Sequence, residues 1–339
     1  MNFELSPEQQ LLGDTVRGYL LTEHPVARIL ARAEAPDDNL DDVWDGLNAL
    51  GLAGIAMPEE FGGLGLGVLD LAVAAEALGY GAAPGPHLGH WLASLAIALG
   101  GSASQQARWL PGLSSGATRA ALVWDDAGTP VLGGRDADVY VVRTVAGFAI
   151  AAAGPAVTAQ RQPGIDLTRP IDEVRIEAAA LEPLPAADAD LAAYVRAVGH
   201  VLVAADAFGG ALRCLDLSVE YAKTRRQWGQ LIGQFQAVKH QLADLALLVE
   251  PGRGLYWYAA HALDADRPGA AQAAALAKSH ITDGYVRAAR SAVELHGGFG
   301  YTWECDVHVY LKRALLDRQY LGDPESLRQE IAPHVLAPA

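Results

Sequence analysis

The chain has 339 residues, 51% of them hydrophobic, which is enough to bury a large core and to fill two or three compact units. Its formal net charge of −15 opposes a polyanionic partner, so no nucleic acid is expected to bind. The only cysteines, Cys214 and Cys305, stand at no metal-ligand spacing; no disulfide framework and no metal site are expected.

No uninterrupted apolar run reaches the roughly 18–20 residues that span a bilayer. The most apolar stretch, Val201–Ala207, is short and runs into Phe208-Gly209-Gly210. The opening Met1-Asn2-Phe3-Glu4-Leu5 lacks the basic and apolar regions of a signal peptide. A cytoplasmic protein with no membrane association is the expectation.

Residues 1–113 read as an N-terminal helical domain. Ser6-Pro7-Glu8-Gln9 places a hydroxyl cap, a first-turn proline and a reciprocating Gln, which predicts a helix to about Thr22. Helical patterns follow at Leu40–Leu50, Val68–Leu78, Leu88–Leu99 and Ala103–Leu110, with a Gly-rich loop at Met57–Gly65 between them. Residues 114–185 change to short β-type runs at Ala120–Trp124, Val139–Val142, Phe148–Ala151 and Val174–Ile176, a small middle β domain. From Ala186 to the end, long helices are predicted at Leu191–Arg225, Phe235–Leu263, Gly269–Leu295 and Cys305–Gln319, with a short one near Glu325–Ile331. Four long helices with short connections predict a C-terminal four-helix bundle over 186–339. Pro251-Gly252 should break or kink the second of them, because proline removes a backbone donor and clashes with the preceding turn. The fold class is therefore mainly α with a small β domain.

Two segments carry candidate chemistry. In the first, from Tyr221 to Asp244, one helix ends, the chain turns at Gly229 and Gly233, and another helix begins. Arg225 and Arg226 can offer guanidinium donors to a pyrophosphate, Gln227 and Gln236 can meet phosphate or amide groups, and Trp228 can stack on a planar ring. The alternative is a basic helix end facing its own dipole. The second is Glu294-Leu-His296-Gly297-Gly298-Phe-Gly300-Tyr301-Thr-Trp303-Glu304, where adjacent glycines let the backbone approach a flat or charged ligand. Its alternative is a glycine helix stop followed by a turn.

Taken together, these segments resemble the acyl-CoA dehydrogenase family, and the resemblance extends over nearly the whole chain. In that family a Tyr-Ala-x-x-Arg-x-x-aromatic-Gly run with a following Phe/His-Gln, and a later Gln-x-x-Gly-Gly run, bind the pyrophosphate and adenosine of FAD across a subunit interface. Arg225, Trp228, Gly229, Gln236, Gly297 and Gly298 match position for position, while Glu294 stands where the family has Gln. Met57-Pro58-Glu59-Glu60-Phe61-Gly62-Gly63 matches the N-terminal Pro-Glu-x-x-Gly-Gly stretch.

The resemblance also exposes what is missing. The family removes the substrate's α proton with a Glu carboxylate while the β hydride passes to the flavin. The usual Tyr-Glu-Gly-Thr position of that base is here Tyr320-Leu321-Gly322-Asp323, and the alternative base position on the preceding helix is Gly199, beside His200. Neither leucine nor glycine accepts a proton. The family's Thr-Glu-x-x-x-Gly-Ser-Asp stretch corresponds to Leu122-Val123-Trp124-Asp125-Asp126-Ala127-Gly128, which lacks the Gly-Ser-Asp element. No catalytic residue is assigned.

This pattern resembles the non-catalytic subunit of the actinobacterial α2β2 acyl-CoA dehydrogenases. The resemblance implies FAD as cofactor, a catalytic acyl-CoA dehydrogenase subunit as partner, steroid side-chain CoA thioesters as substrates and an electron-transfer flavoprotein as acceptor. Two alternatives stay open: a self-sufficient homo-oligomer with its base relocated to Asp323 or Glu325, and a structural or regulatory homologue that binds no flavin.

Overall fold

The computed structural model describes residues 4–32, 41–124 and 131–336. Among the described residues six α-helices come first: α1 (Pro7–Glu23), α2 (Val26–Arg32), α3 (Asp41–Ala49), α4 (Val68–Tyr80), α5 (His87–Gly100) and α6 (Ala103–Ser115). Strands β1 (Ala120–Val123), β2 (Val131–Leu132), β3 (Val139–Thr144), β4 (Gly147–Ala152), β5 (Val157–Arg161), β6 (Ile171–Ile176) and β7 (Glu182–Pro183) follow. After them come α7 (Ala189–Thr224), a hairpin of β8 (Arg226–Gln227) and β9 (Gln230–Leu231), then α8 (Gln236–Val249), α9 (Pro251–Asp264), α10 (Ala270–His296), α11 (Val307–Gln319) and α12 (Pro324–Leu336). The mainly helical fold with a small β region agrees with the sequence reading. Leu40 and the stretch Asp125–Gly128 lie outside the described residues.

Two compact units emerge, one from Met1–Pro36, Ala72–Ala83 and His200–Ala339, the other from Asp37–Leu71 and Pro84–Gly199. In the first, α1 begins as predicted: the Ser6 hydroxyl accepts from Gln9 N, and the Gln9 side chain accepts from Ser6 N. α7 and α4 approach closely through glycines. A Cβ on Gly79 would lie 1.9 Å from the Asp206 carbonyl oxygen, and one on Gly209 would lie 2.0 Å from that of Glu76. Gly209 is therefore a contact residue inside a continuous helix. Nearby, Arg313 on α11 makes a bidentate pair with Asp206, at 3.0 and 2.6 Å, and donates to the Ala83 carbonyl at 2.9 Å. Both side chains are essentially inaccessible, so the hydrogen bonds must offset a large desolvation cost.

Part of α7 is long and apolar enough to cross a bilayer by length and composition alone, but 78% of that window is buried inside the protein. Polar residues such as His200 and Asp206 interrupt it, so no uninterrupted apolar run marks it in the sequence. It is the core helix of this unit. The predicted single helix Phe235–Leu263 is divided into α8 and α9 at Pro251, which takes the first position of α9, where a missing N–H costs nothing. α10 packs against α8, α9, α11 and α12.

In the second unit, β1 pairs parallel with β3, β3 pairs antiparallel with β4, and β7 closes that sheet's edge. A three-stranded sheet has the order β2-β6-β5. Ala121, Val123, Val131, Tyr140, Val142 and Val174 share one core cluster, and the Tyr140 hydroxyl donates to the Gly134 carbonyl at 2.7 Å. Three strands had no sequence signal: β2 and β7 have two residues each, and β5 is a half-exposed edge strand, Val-Thr-Ala-Gln-Arg. On α5, Trp91 Nε1 donates to the Leu52 carbonyl at 2.7 Å. His90 joins α5 to the first strand and to α6: its Nδ1 accepts from Ala120 N, and its Nε2 donates to the Leu113 carbonyl, both at 3.2 Å.

Candidate functional site

α7 stops at Thr224, whose hydroxyl turns back to the carbonyls of Glu220 and Tyr221 at 3.1 and 3.2 Å. Gln227 then pairs with Gln230, leaving Trp228-Gly229 as a two-residue hairpin turn. Both central residues have positive φ, 47° and 78°, the geometry that matches a hairpin's right-handed twist. Glycine adopts it freely, whereas tryptophan pays about 1–2 kcal/mol to enter the left-handed region. Trp228 is 86% exposed, and its ring meets Phe235 edge-on at 5.7 Å. Strain held at an exposed aromatic points to a recognition role rather than to packing.

The second segment reaches the same end of the bundle. The Tyr221 ring stacks on His296 at 4.3 Å and lies nearly parallel to Phe299 at 6.1 Å. Its hydroxyl donates to the His296 carbonyl at 3.4 Å. His296 Nδ1 donates to the Ala292 carbonyl at 2.7 Å, and burial holds its pKa below the ordinary value. Tyr221 thus ties the Arg225 hairpin to the end of α10.

The glycines there divide by purpose. A Cβ on Gly300 would meet the Val293 carbonyl at 2.6 Å, a packing requirement. On Gly297 or Gly298 it would meet nothing within 4 Å, so these two leave an open surface that a ligand can approach. Gly297 has φ 63°, and its N–H caps the Glu294 carbonyl.

Arg225, Arg226, Gln227, Gln236 and Glu294 are all exposed. Among the described residues, none of their side chains has a hydrogen-bond or ion-pair partner. Two unpaired guanidiniums, two free amides, an exposed indole and an open Gly-Gly surface fit a pyrophosphate joined to a flat ring. Glu294 is the discordant member, because a carboxylate in the last turn of α10 repels both the helix dipole and an anion. Sequence reasoning assigned no role to Tyr221 or His296, although both lie within the runs it examined. Aromatic spacing across two distant segments gives no pairing signal.

At the loop after α11, Leu321 is buried and held at φ 60°, and Gly322 follows at φ 107°. His200 Nε2 donates to the Leu321 carbonyl at 3.1 Å, and the fully buried Lys278 donates its ammonium to the Gly322 carbonyl. These two donors were not foreseen, since single charged residues on apolar helices carry no motif. Asp323 is engaged at the start of α12: its carboxylate accepts from Glu325 N at 2.9 Å and from Ser326 N at 3.2 Å. The Ser326 hydrogen bonds hold that carboxyl below its ordinary pKa, which makes it a weaker base. Glu325 is exposed. No group of three or more His, Cys, Asp or Glu that could hold a metal occurs among the described residues.

Comparison with known proteins identifies the family. The family model described as acyl-CoA dehydrogenase, N-terminal domain, matches residues 6–117, and that of the C-terminal domain matches residues 192–336. The chain is 35% identical over 335 residues to the acyl-CoA dehydrogenase IpdE2 of Mycobacterium tuberculosis, covering 97% of each chain. It superposes on a chain from a solved structure of the electron transferring flavoprotein of Acidaminococcus fermentans with a TM-score of 0.89 and 25% identity, over 100% of both chains. For a chain of the Tcur3481-Tcur3483 steroid ACAD the TM-score is 0.85 and the identity 26%, over 97% and 98% of the two chains. Shared sequence across both matched domains and shared fold along its full length place this chain in the acyl-CoA dehydrogenase family, a class of FAD-dependent oxidoreductases.

Proposed function

We propose that the chain is an FAD-binding, non-catalytic subunit of a heteromeric acyl-CoA dehydrogenase that desaturates acyl-CoA thioesters between their α and β carbons. One observation carries this reading. The unpaired Arg225 and Arg226 stand on a strained, exposed hairpin beside the open Gly297-Gly298 surface, while the two expected base positions hold Leu321 and Gly199.

When bound, FAD supplies the hydride acceptor. In this reading Arg225 and Gln227 would hold the pyrophosphate, and Trp228, Gln236, Gly297 and Gly298 would hold the adenosine portion. Glu294, a carboxylate that cannot donate a hydrogen bond, would add no favourable contact to the phosphates. The proton acceptor comes from a catalytic partner subunit of the same family in an α2β2 assembly. Buried Leu321, in a loop held by His200 at its own carbonyl and by Lys278 at that of Gly322, offers no lone pair at the expected base position. A relocated base at Asp323 is disfavoured because that carboxylate is already spent on the α12 cap.

Steroid side-chain CoA thioesters are the proposed substrates, consistent with the likeness to IpdE2 and to a steroid ACAD. An electron-transfer flavoprotein is the proposed acceptor, and the cytoplasm the proposed location. The proposed domains are residues 1–113, 114–185 and 186–339. The test is Arg225→Ala in the co-purified complex. Loss of flavin with the subunits still associated supports the reading, and unchanged flavin content contradicts it.

A further inference from the structure

Helices α8 and α9 are the same length, 14 residues each, yet are anchored very differently. α9 buries Gly252, Tyr256, Ala259, Ala260, Ala262 and Leu263. Polar contacts pin it as well: the Tyr256 hydroxyl donates to Glu76 of α4, and Trp257 Nε1 donates to that hydroxyl at 2.7 Å. α8 buries only Leu245 and Val249, and among the described residues none of its side chains makes a hydrogen bond or an ion pair. Few buried apolar groups and no side-chain bonds put α8 at the low end of local stability in this unit. The joint between the two helices is weak in the same sense. Glu250 keeps helical dihedrals, φ −54° and ψ −38°, and its N–H still reaches the Ala246 carbonyl at 3.0 Å, but Pro251 has no N–H to give to Leu247. Arg253 N then bonds the Glu250 carbonyl, three residues back, at 3.3 Å. Gly252 and Gly254 follow the proline within one turn, and glycine resists a change of backbone angle least.

The joint also faces a gap. Leu248, Val249 and Gly252 line a cleft with about 220 Å³ of empty space, opposite Phe208 of α7 and Ile281 and Gly284 of α10. The packing is loosest at Gly284, where a Cβ would meet only Leu248, at 3.8 Å. Close-packed interiors resist the displacement of one helix against another, and a gap at the pivot removes that resistance. We infer that α8 is a lever hinged at Pro251, which swings as a rigid rod against α10 while α9 stays fixed. A 14-residue helix is about 20 Å long, so a swing of roughly 10° moves its far end by about 4 Å. That far end is Gln236, and the β8–β9 hairpin beside Arg225 precedes it directly. The swing therefore opens and closes the clasp through which FAD is loaded. The link to FAD rests on the proposed function, whereas the hinge stands on the packing of α8 and α9 alone.

The experiment is hydrogen–deuterium exchange of the full chain, read by mass spectrometry over α8, α9 and α10, in the wild type, in Gly284→Ala and in Pro251→Ala. The first variant fills the gap with a methyl at ordinary contact distance from Leu248, and the second restores the missing backbone donor. Circular dichroism and thermal unfolding check that both fold. In the wild type the α8 amides are expected to exchange at least tenfold faster than those of α9. Each variant is expected to slow α8 at least threefold and leave α9 unchanged. Equal protection of α8 and α9 in the wild type overturns the hinge, a result that needs no variant. So does unchanged α8 exchange in both variants. In the co-purified complex, exchange of bound FAD for added labelled FAD is expected to slow at least threefold in Gly284→Ala; a slowed α8 with unchanged FAD exchange overturns the link between lever and clasp. Arg225→Ala that keeps its flavin overturns instead the assignment of FAD to this hairpin and leaves the hinge standing.

Discussion

Acid should weaken this fold through one imidazole. His90 is fully buried, packs against Trp44 with ring centroids 5.0 Å apart, and uses both nitrogens: Nδ1 accepts from Ala120 N and Nε2 donates to the Leu113 carbonyl. Protonating Nδ1 would destroy the first bond and place a charge in the core. Burial, opposed by the Leu113 hydrogen bond and reinforced by nearby Arg119, pushes its pKa from 6.5 down to about 4. Between these values the unfolded chain binds the proton and the folded chain does not, so stability rises with pH across that window. The contribution is complete above about pH 6.5 and is lost as pH falls toward 4. A shift of this size corresponds to about 3 kcal/mol overall, of which roughly 2 kcal/mol should vanish between about pH 7 and pH 4.5. Urea unfolding of the wild type and of His90→Gln, whose amide can accept and donate but does not titrate, isolates the effect from the carboxylates common to both. The difference in unfolding free energy between the two proteins should change by that amount over the pH range. Parallel pH profiles would refute the reasoning.

Other substitutions test the packing and the loops. Gly209→Val and Gly79→Val each force a side chain into a facing backbone carbonyl; either should cost at least about 1–3 kcal/mol or prevent folding, as read by thermal unfolding. Arg313→Met should cost about 3–5 kcal/mol because it removes both guanidinium hydrogen bonds from the buried Asp206 carboxylate; Arg313→Met with Asp206→Leu should recover much of the loss in urea unfolding. Asp323→Ala should lower the thermal midpoint by uncapping α12 while leaving turnover of the assembled enzyme unchanged; loss of turnover would restore Asp323 as a base.

Much of the fold is legible residue by residue because the signals are local. Ser6 and Gln9 announce the start of α1, and both cap bonds form. Pro251 announces a break, which becomes a boundary between two helices because proline fits the first turn of α9. The strands β2, β5 and β7 escaped notice because short or edge strands are made by their neighbours more than by their own alternation. The hairpin's arginines, its tryptophan and the Gly-Gly pair were visible as motifs, and the structure brings their segments together through Tyr221 and His296. Long-range pairings of that kind leave no mark on spacing. The same holds for His200 and Lys278: nothing in their local sequence says that they meet the Leu321–Gly322 loop more than forty residues away, a contact made only when α7, α10 and α11 have packed.

The most direct test of a shared flavin site is the FAD content per chain of this protein purified alone and after co-expression with a catalytic acyl-CoA dehydrogenase subunit. One flavin per two chains, appearing only in the co-expressed complex, is the predicted result. A yellow, isolated chain that desaturates an acyl-CoA thioester unaided would contradict it.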